Sequence, residues 1–232
     1  MPNEQYAMGR SSRPWGRNVD RNPMAMGAAM KVNAYVFGVL LALVGLVLST
    51  AGPSRAEDLS QPATLIASED LDGTALAQTV VIAAPLPGGG HVGFIINRPT
   101  ALKLGEVLPD KASARAVVDP VYLGGPRLTD TLFALSREAP DDADGAIPLL
   151  PDLFVVFDED SIDRIIDHNP NAARYFVGIF VWPPGELDKE VRAGIWGVKP
   201  LDTNAVFRKQ PKHLWSELSA TLSRSGAHGS WM

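Results

Sequence analysis

Residues 175–182 (YFVGIFVW) are the strongest strand signal in this chain, and they carry no charge. β-Branched and aromatic side chains dominate both alternating sets, so the strand is expected to be buried on both faces. A sheet built around it needs a covering layer on either side. Shorter strands are expected at residues 64–67, 79–82, 121–123, 132–135, 153–157 and 195–198. The second of these leads through PLPGGG (85–90) into residues 91–97, a hairpin pattern with a flexible tip.

Helical signals are interspersed. Residues 104–108 suggest a helical turn, and residues 161–168 a helix with Asp158, Glu159 and Asp160 at its positive amino end. Residues 185–193 suggest another, with charge pairs Glu186–Lys189 and Asp188–Arg192. Leu214, Leu218 and Leu222 share one face of a closing helix, with Trp215 beside them. Strands and helices mix without a regular βαβ repeat, so the fold class is α+β: a single compact domain over residues 57–222, then a flexible polar tail, 223–232.

One apolar run ends in a way that localises a site. Residues 93–100 (GFIINRPT) stop abruptly at Asn97-Arg98-Pro99. Proline lacks an amide donor and biases the residue before it toward extended backbone, so the strand should end there. Asn97 and Arg98 are then delivered to a sheet rim, where polar groups often serve ligands.

The amino-terminal part is of a different kind. Residues 34–48 (AYVFGVLLALVGLVL) carry no charge; Lys31 precedes them and Gly52-Pro53 lies behind them. Ser54-Arg55-Ala56 puts small residues where a signal peptidase cleaves, so residues 30–56 read as a secretory signal. A membrane anchor is the competing reading. Fifteen residues span about 22 Å as a helix, short of a hydrocarbon core of about 30 Å, and residues 32–52 make a span marginal. Residues 1–29, with Arg10, Arg13, Arg17 and Arg21, read as a disordered basic tail or a start placed too far upstream; Met24, Met26 and Met30 are other candidates. Such a flank stays cytoplasmic, so both readings export the domain, periplasmic or anchored at the inner membrane with residues 57 onward outside the cytoplasm.

Charge narrows the partners. Of 21 Lys and Arg and 26 Asp and Glu, six and two fall in residues 1–56, leaving 15 against 24 and a net charge of −9 beyond them. So acidic a body makes nucleic acid a poor partner, and Arg208, Lys209 and Lys212 are a small cluster near the end of the chain. A protein partner or a small anionic ligand fits better, with membrane contact only through residues 32–52. With no cysteine, thiol nucleophiles, thiolate metal sites and disulfides are excluded.

Several groups carry both a chemical and a structural reading. Asn97 and Arg98 can bind an anion, or tie a turn and pair with an acidic neighbour. Gly124 and Gly125 can offer amides to a ligand, or terminate a strand. Glu186 and Glu190 share a helix face, where like charges raise a carboxylate pKa, or are a solvated helix start. Trp182 and Trp196 can wall a ligand, or belong to the core. Asp142-Ala143-Asp144-Gly145 has too few ligands for a calcium loop and reads as an exposed turn. His91, His168, His213 and His228 lack metal spacing, and no serine elbow exists. No catalytic residue, metal or cofactor is expected.

Separated segments together resemble the YqgE/AlgH family of small bacterial proteins. They are GFIINRP (93–99), PVYLGGP (120–126), the pattern Gly178, Trp182, Gly185, Leu187 and Glu190, then Trp196, and the closing Phe207 and Trp215; the opening Leu65-Ile66-Ala67 also fits. The resemblance covers residues 64–222. It implies a compact domain with a strongly curved, barrel-like mixed sheet flanked by a few helices, no established catalytic residue or cofactor, and mostly cytoplasmic members, some with an attributed transcriptional role. The chain departs in Glu186 where the family has Gln, in Pro183-Pro184, in an acidic loop at 139–145, and in its leader. The expectation is a non-catalytic binding or regulatory module acting outside the cytoplasm. The alternatives are a hydrolase-like enzyme using Glu186 or Glu190 beside Arg98, and a transcriptional regulator.

Overall fold

The computed structural model describes residues 59–140 and 145–227. The apolar run at 34–48, the basic tail, Asp142, Asp144 and His228 lie outside them. The described strands are β1 (Ala63–Ala67), β2 (Val80–Pro85), β3 (His91–Ile95), β4 (Pro99–Lys103), β5 (Pro120–Leu123), β6 (Arg127–Ser136), β7 (Ala146–Leu150), β8 (Leu153–Val156), β9 (Ala173–Trp182) and β10 (Trp196–Pro200). The α-helices are α1 (Leu104–Val107), α2 (Glu159–His168), α3 (Glu186–Arg192), α4 (Thr203–Val206) and α5 (Leu214–Ala227).

The main path runs β10-β1-β2-β3-β9-β6-β8-β7, antiparallel throughout, and curves into a half-barrel. β9, the strand expected to be buried on both faces, lies near its centre. One edge of β9 is shared by β3, in register at Gly93↔Phe180, and by β5, which runs parallel at Tyr122↔Phe176. The other edge takes β6. β4 hangs on β5 alone.

Alternation along the strands feeds one inner core and two outer ones. Ile82, Phe94, Phe133, Phe176 and Ile179 fill the inner face, which Val206 of α4 and Leu214 of α5 help to close. Phe94 lies 5.6 Å from Phe133 and 5.4 Å from Phe176, ring centre to ring centre. Outside, Leu187 of α3 packs with Val81, Ile95, Phe180, Trp182 and Trp196. Ile162 and Ile166 of α2 pack with Leu104, Val121, Ala134 and Tyr175. Asp158 caps α2, its carboxylate accepting from the Ser161 amide at 2.8 Å.

Gly178 changes the parity of β9. Before it, Phe176 points to the inner core and Tyr175 outward; after it, Ile179 points inward and Phe180 outward. The extra residue is a bulge, with φ +78° at Gly178 and a register irregularity against β6.

Four expectations change. Pro99 does not merely end a strand: it opens β4, since a missing amide is tolerated at the first residue of an edge strand. β7 (AIPLL) was hidden by Pro148, which an edge strand also accommodates. α5 continues to Ala227, beyond the expected boundary at residue 222. The pairs Glu186–Lys189 and Asp188–Arg192 are not among the ion pairs of the described residues; Glu190 on the same helix makes the specific contacts instead.

Candidate functional site

The end of β3 is built as its sequence suggests, but its polar groups face the protein. Asn97 Oδ1 accepts from the Val80 amide at 2.9 Å, and Nδ2 donates to the Gln78 carbonyl at 2.9 Å. Arg98 is exposed and donates through Nη2 to the Ala77 carbonyl. The expected acidic neighbour of Arg98 is replaced by that carbonyl. Gln78 has φ +56°, a left-handed conformation that costs a residue with a Cβ of order 1 kcal/mol. Asn97 and Arg98 therefore fasten a strained turn at the start of β2.

Val80 is fully buried, so its amide has no water to turn to. Asn97→Ala should destabilise the protein by about 1–3 kcal/mol, the cost of a buried unpaired donor. Urea unfolding of Asn97→Ala checks the magnitude, and a loss below about 0.5 kcal/mol would refute the role given to Oδ1.

Gly124 and Gly125 adjoin this strand end. The Arg98 carbonyl accepts from the Leu123 amide at 3.0 Å, and the Gly124 carbonyl from the Ile95 amide at 2.8 Å. The Gly124 amide is itself engaged, donating to Val177 O at 2.8 Å. A Cβ at Gly124 would lie 2.3 Å from the Gly178 carbonyl oxygen, and one at Gly125 2.2 Å from the Ile179 carbonyl carbon. The two glycines let the β5–β6 connection cross β9 at backbone contact.

A second group forms on the outer face of β9. Trp182 Nε1 donates to Glu190 Oε2 at 3.0 Å, and Trp196 Nε1 donates to the same oxygen at 2.7 Å. Phe180 stacks on Trp182 at 5.0 Å and meets Trp196 edge-on at 6.4 Å. Burial pushes the Glu190 carboxyl above its ordinary range; the indole bonds from Trp196 and Trp182 oppose this, and the charge of Glu186 reinforces it. Both tryptophans are core, with their polar edges turned to one carboxylate. Glu190 and Arg98 share no hydrogen bond or ion pair: each is held by the groups just named.

Sequence reasoning passed over Arg174, which is 1% exposed at the start of β9. Nη2 meets Asp119 Oδ2 at 3.0 Å and the Arg208 carbonyl at 3.1 Å, and Nη1 donates to the Val206 carbonyl. Its guanidinium carbon lies 4.4 Å from the Tyr122 ring centre. Lys209 Nζ meets Asp119 Oδ1 at 3.0 Å. Burial raises the Asp119 carboxyl, but the hydrogen bonds and charges of Arg174 and Lys209 outweigh it and hold the group below its ordinary value. The one sequence signal was a cation opening the most apolar strand.

Two shallow grooves lie on the surface of the described residues. One is lined by Pro126, Arg127, Leu128, Val181 and Pro183. Within that lining Leu128 is 56% exposed with φ +50°. The other is lined by residues that include Lys103, Glu106, Arg115 and Val118. Among the described residues, no three His, Asp or Glu gather as metal ligands, and no helix is long and apolar enough to cross a membrane.

Comparison with known proteins agrees with this architecture. A UPF0301 protein of Chlorobium phaeobacteroides is 29% identical over 163 residues, covering 69% of this chain and 85% of that one. Its counterpart in Chlorobium limicola is 30% identical over 155 residues, covering 66% and 81%. The solution structure of AlgH from Pseudomonas aeruginosa superposes with a TM-score of 0.59 at 26% identity, covering 74% of this chain and 93% of that one. A Corynebacterium diphtheriae protein at 19% identity and a TM-score of 0.58 shares the fold. The family model described as AlgH-like matches residues 64–225, and the chain belongs to that family.

Proposed function

We propose that this AlgH-like chain is a non-catalytic binding module, acting outside the cytoplasm on a protein partner or a small anion. One observation carries the non-catalytic reading: the groups with chemical potential are engaged in holding the fold. Glu190 receives two indoles, Asn97 ties β2 and β3, and the Gly124 amide lies in a backbone bond. Arg98 differs. A guanidinium has five N–H donors, and that of Arg98 is exposed with Nη2 on Ala77 O, which suits it to a carboxylate or phosphate.

The site of action is argued from sequence. A basic flank leading into the uncharged residues 34–48 exports or anchors the domain downstream. A reporter enzyme fused after Glu57 should be active in the periplasm; activity confined to the cytoplasm would overturn export and favour a cytoplasmic regulator. Arg98→Ala should shift stability by less than about 1 kcal/mol, since an exposed hydrogen bond is lost. It should nonetheless lower recovery of a co-purifying partner at least tenfold. Unchanged recovery would remove Arg98 from the site.

A further inference from the structure

We infer that the exposed strip along β4, with the groove it borders, docks an extended segment of a protein partner that is both acidic and aliphatic. The inference rests on the binding-module reading, extends the surface beyond Arg98 and names the partner's chemistry.

The strip starts at Arg98 and continues without a break. Pro99, Ala101, Leu102 and Lys103 are exposed, and β4 pairs with β5 alone. Lys103 Nζ donates to the Val118 carbonyl at 2.9 Å, which ties the end of β4 to the segment leading into β5. Gly105 of α1 brings Arg115 to the same rim, since a Cβ there would lie 2.8 Å from Arg115 Cγ. Lys103, Glu106, Arg115 and Val118 thereby line one groove.

Two properties set this strip apart in an acidic body. Its cations hold only backbone carbonyls: Arg98 that of Ala77, Lys103 that of Val118, and Arg115 that of Pro109 at 3.4 Å. None of the three is in an ion pair among the described residues, so each keeps donors to offer. Nearby carboxylates are mostly neutralised. Lys111 meets Asp163 at 3.2 Å and Asp167 at 3.0 Å, and Arg174 and Lys209 hold Asp119, which leaves Glu106 and Asp110. The second property is apolar area: Leu102 is 49% exposed and Val118 66%, one next to Lys103 in sequence and the other bonded to it.

Charge and direction select the occupant. Arg98 turns to the loop before β2 and Lys103 to the segment before β5. A single small anion meets one of them, whereas carboxylates spaced along a chain meet each in turn. Leu102 and Val118 then take the aliphatic side chains between those carboxylates. Glu106 in the groove and the net charge of −9 beyond residue 56 oppose a nucleic-acid polyanion. For a short peptide, screening over about 8 Å leaves the nearest cations to decide contact. Strand addition is disfavoured because edge amides are taken. The Leu102 amide donates to Thr100 Oγ1 at 3.1 Å and the Lys103 amide to Glu106 Oε2 at 2.7 Å, so side chains carry the recognition.

The probe is a rhodamine-labelled peptide with blocked ends, Glu-Leu-Asp-Val-Glu-Leu, titrated with the full-length protein and followed by anisotropy. Its amide counterpart, Gln-Leu-Asn-Val-Gln-Leu, should bind at least tenfold more weakly. Raising salt from about 0.05 M to about 0.3 M should weaken the acidic peptide at least threefold. Lys103→Gln and Arg115→Gln should each cost at least threefold in affinity, and Leu102→Ser should cost as much while leaving the salt dependence intact. All three side chains are exposed, and unchanged urea unfolding shows that the variants keep the fold. Equal affinity for the two peptides, no binding at about 1 mM, or no loss in any variant overturns the strip. Arg98 then stands or falls separately, by partner recovery with Arg98→Ala. Displacement of the peptide by equimolar inorganic phosphate assigns the cations to a small anion. Tighter binding of a single-stranded oligonucleotide of equal charge assigns them to nucleic acid. Self-association that Leu102→Ser abolishes and the peptide does not compete with assigns the strip to a second copy. Each of these three results overturns the peptide reading.

Discussion

Gly178→Ala should destabilise the domain by about 2–5 kcal/mol, a large part of the 5–15 kcal/mol that typically holds a domain together. Two costs add. A left-handed φ of +78° costs an alanine about 1–2 kcal/mol. The new Cβ would also lie 2.3 Å from the Gly125 carbonyl oxygen, a backbone atom with little freedom to yield. Gly124, next to it, is bonded on both sides, to Val177 O and from Ile95 N, so retreat would open the junction of β3, β5 and β9. Overpacking of this kind costs about 1–3 kcal/mol. Gly73 provides the control: it has the same φ of +78° with nothing within 4 Å of its Cβ position. Gly73→Ala should show the conformational cost alone. Urea unfolding monitored by tryptophan fluorescence compares them, and equal losses would show that the contact with Gly125 carries no weight.

That junction shows what was legible in the sequence and what was not. The apolar run at 175–182 announced a central strand, and its burial is a consequence of composition alone. Its bulge was not announced. A glycine inside a strand pattern permits a bulge, but the requirement for one at Gly178 comes from Gly125, more than fifty residues earlier, crossing at backbone distance. β4 and β7 were missed for a related reason. A proline marks the end of a central strand yet is harmless on an edge, and edge or centre is a property of the sheet's order.

At the strand end, the sequence places Asn97 and Arg98 just past an apolar run but leaves the direction of their side chains open. The deciding partners are the Gln78 and Ala77 carbonyls, in a loop with no distinctive pattern. Arg174 was invisible because a buried cation is identified by what surrounds it. Asp119, Val206 and Arg208 supply that surround from segments far apart in the chain.

Glu190 offers the sharpest separation between a structural and a chemical carboxylate. Glu190→Ala should cost about 2–4 kcal/mol, because it leaves the indole N–H groups of Trp182 and Trp196, both buried, without their shared acceptor. Glu190→Gln keeps an oxygen for both donors and removes a half-buried charge, so near neutral pH it should cost less than about 1 kcal/mol or stabilise. The pH dependence has a defined sign. Burial raises the native carboxyl above its unfolded value, against the indole bonds and with the help of Glu186. The native state therefore binds more protons than the unfolded state between those two values, and this group's contribution to stability falls as pH rises through that window. Above the raised native value the destabilisation is complete. Asp119 and its cations act in the opposite direction, their contribution being lost as pH falls. Subtracting the Glu190→Gln stability curve from wild type cancels Asp119 and isolates Glu190. The difference should move against wild type from about pH 4 toward neutrality. A flat difference, or one that favours wild type as pH rises, would mean that the two indoles outweigh burial and that Glu190 is held as a stabilised anion.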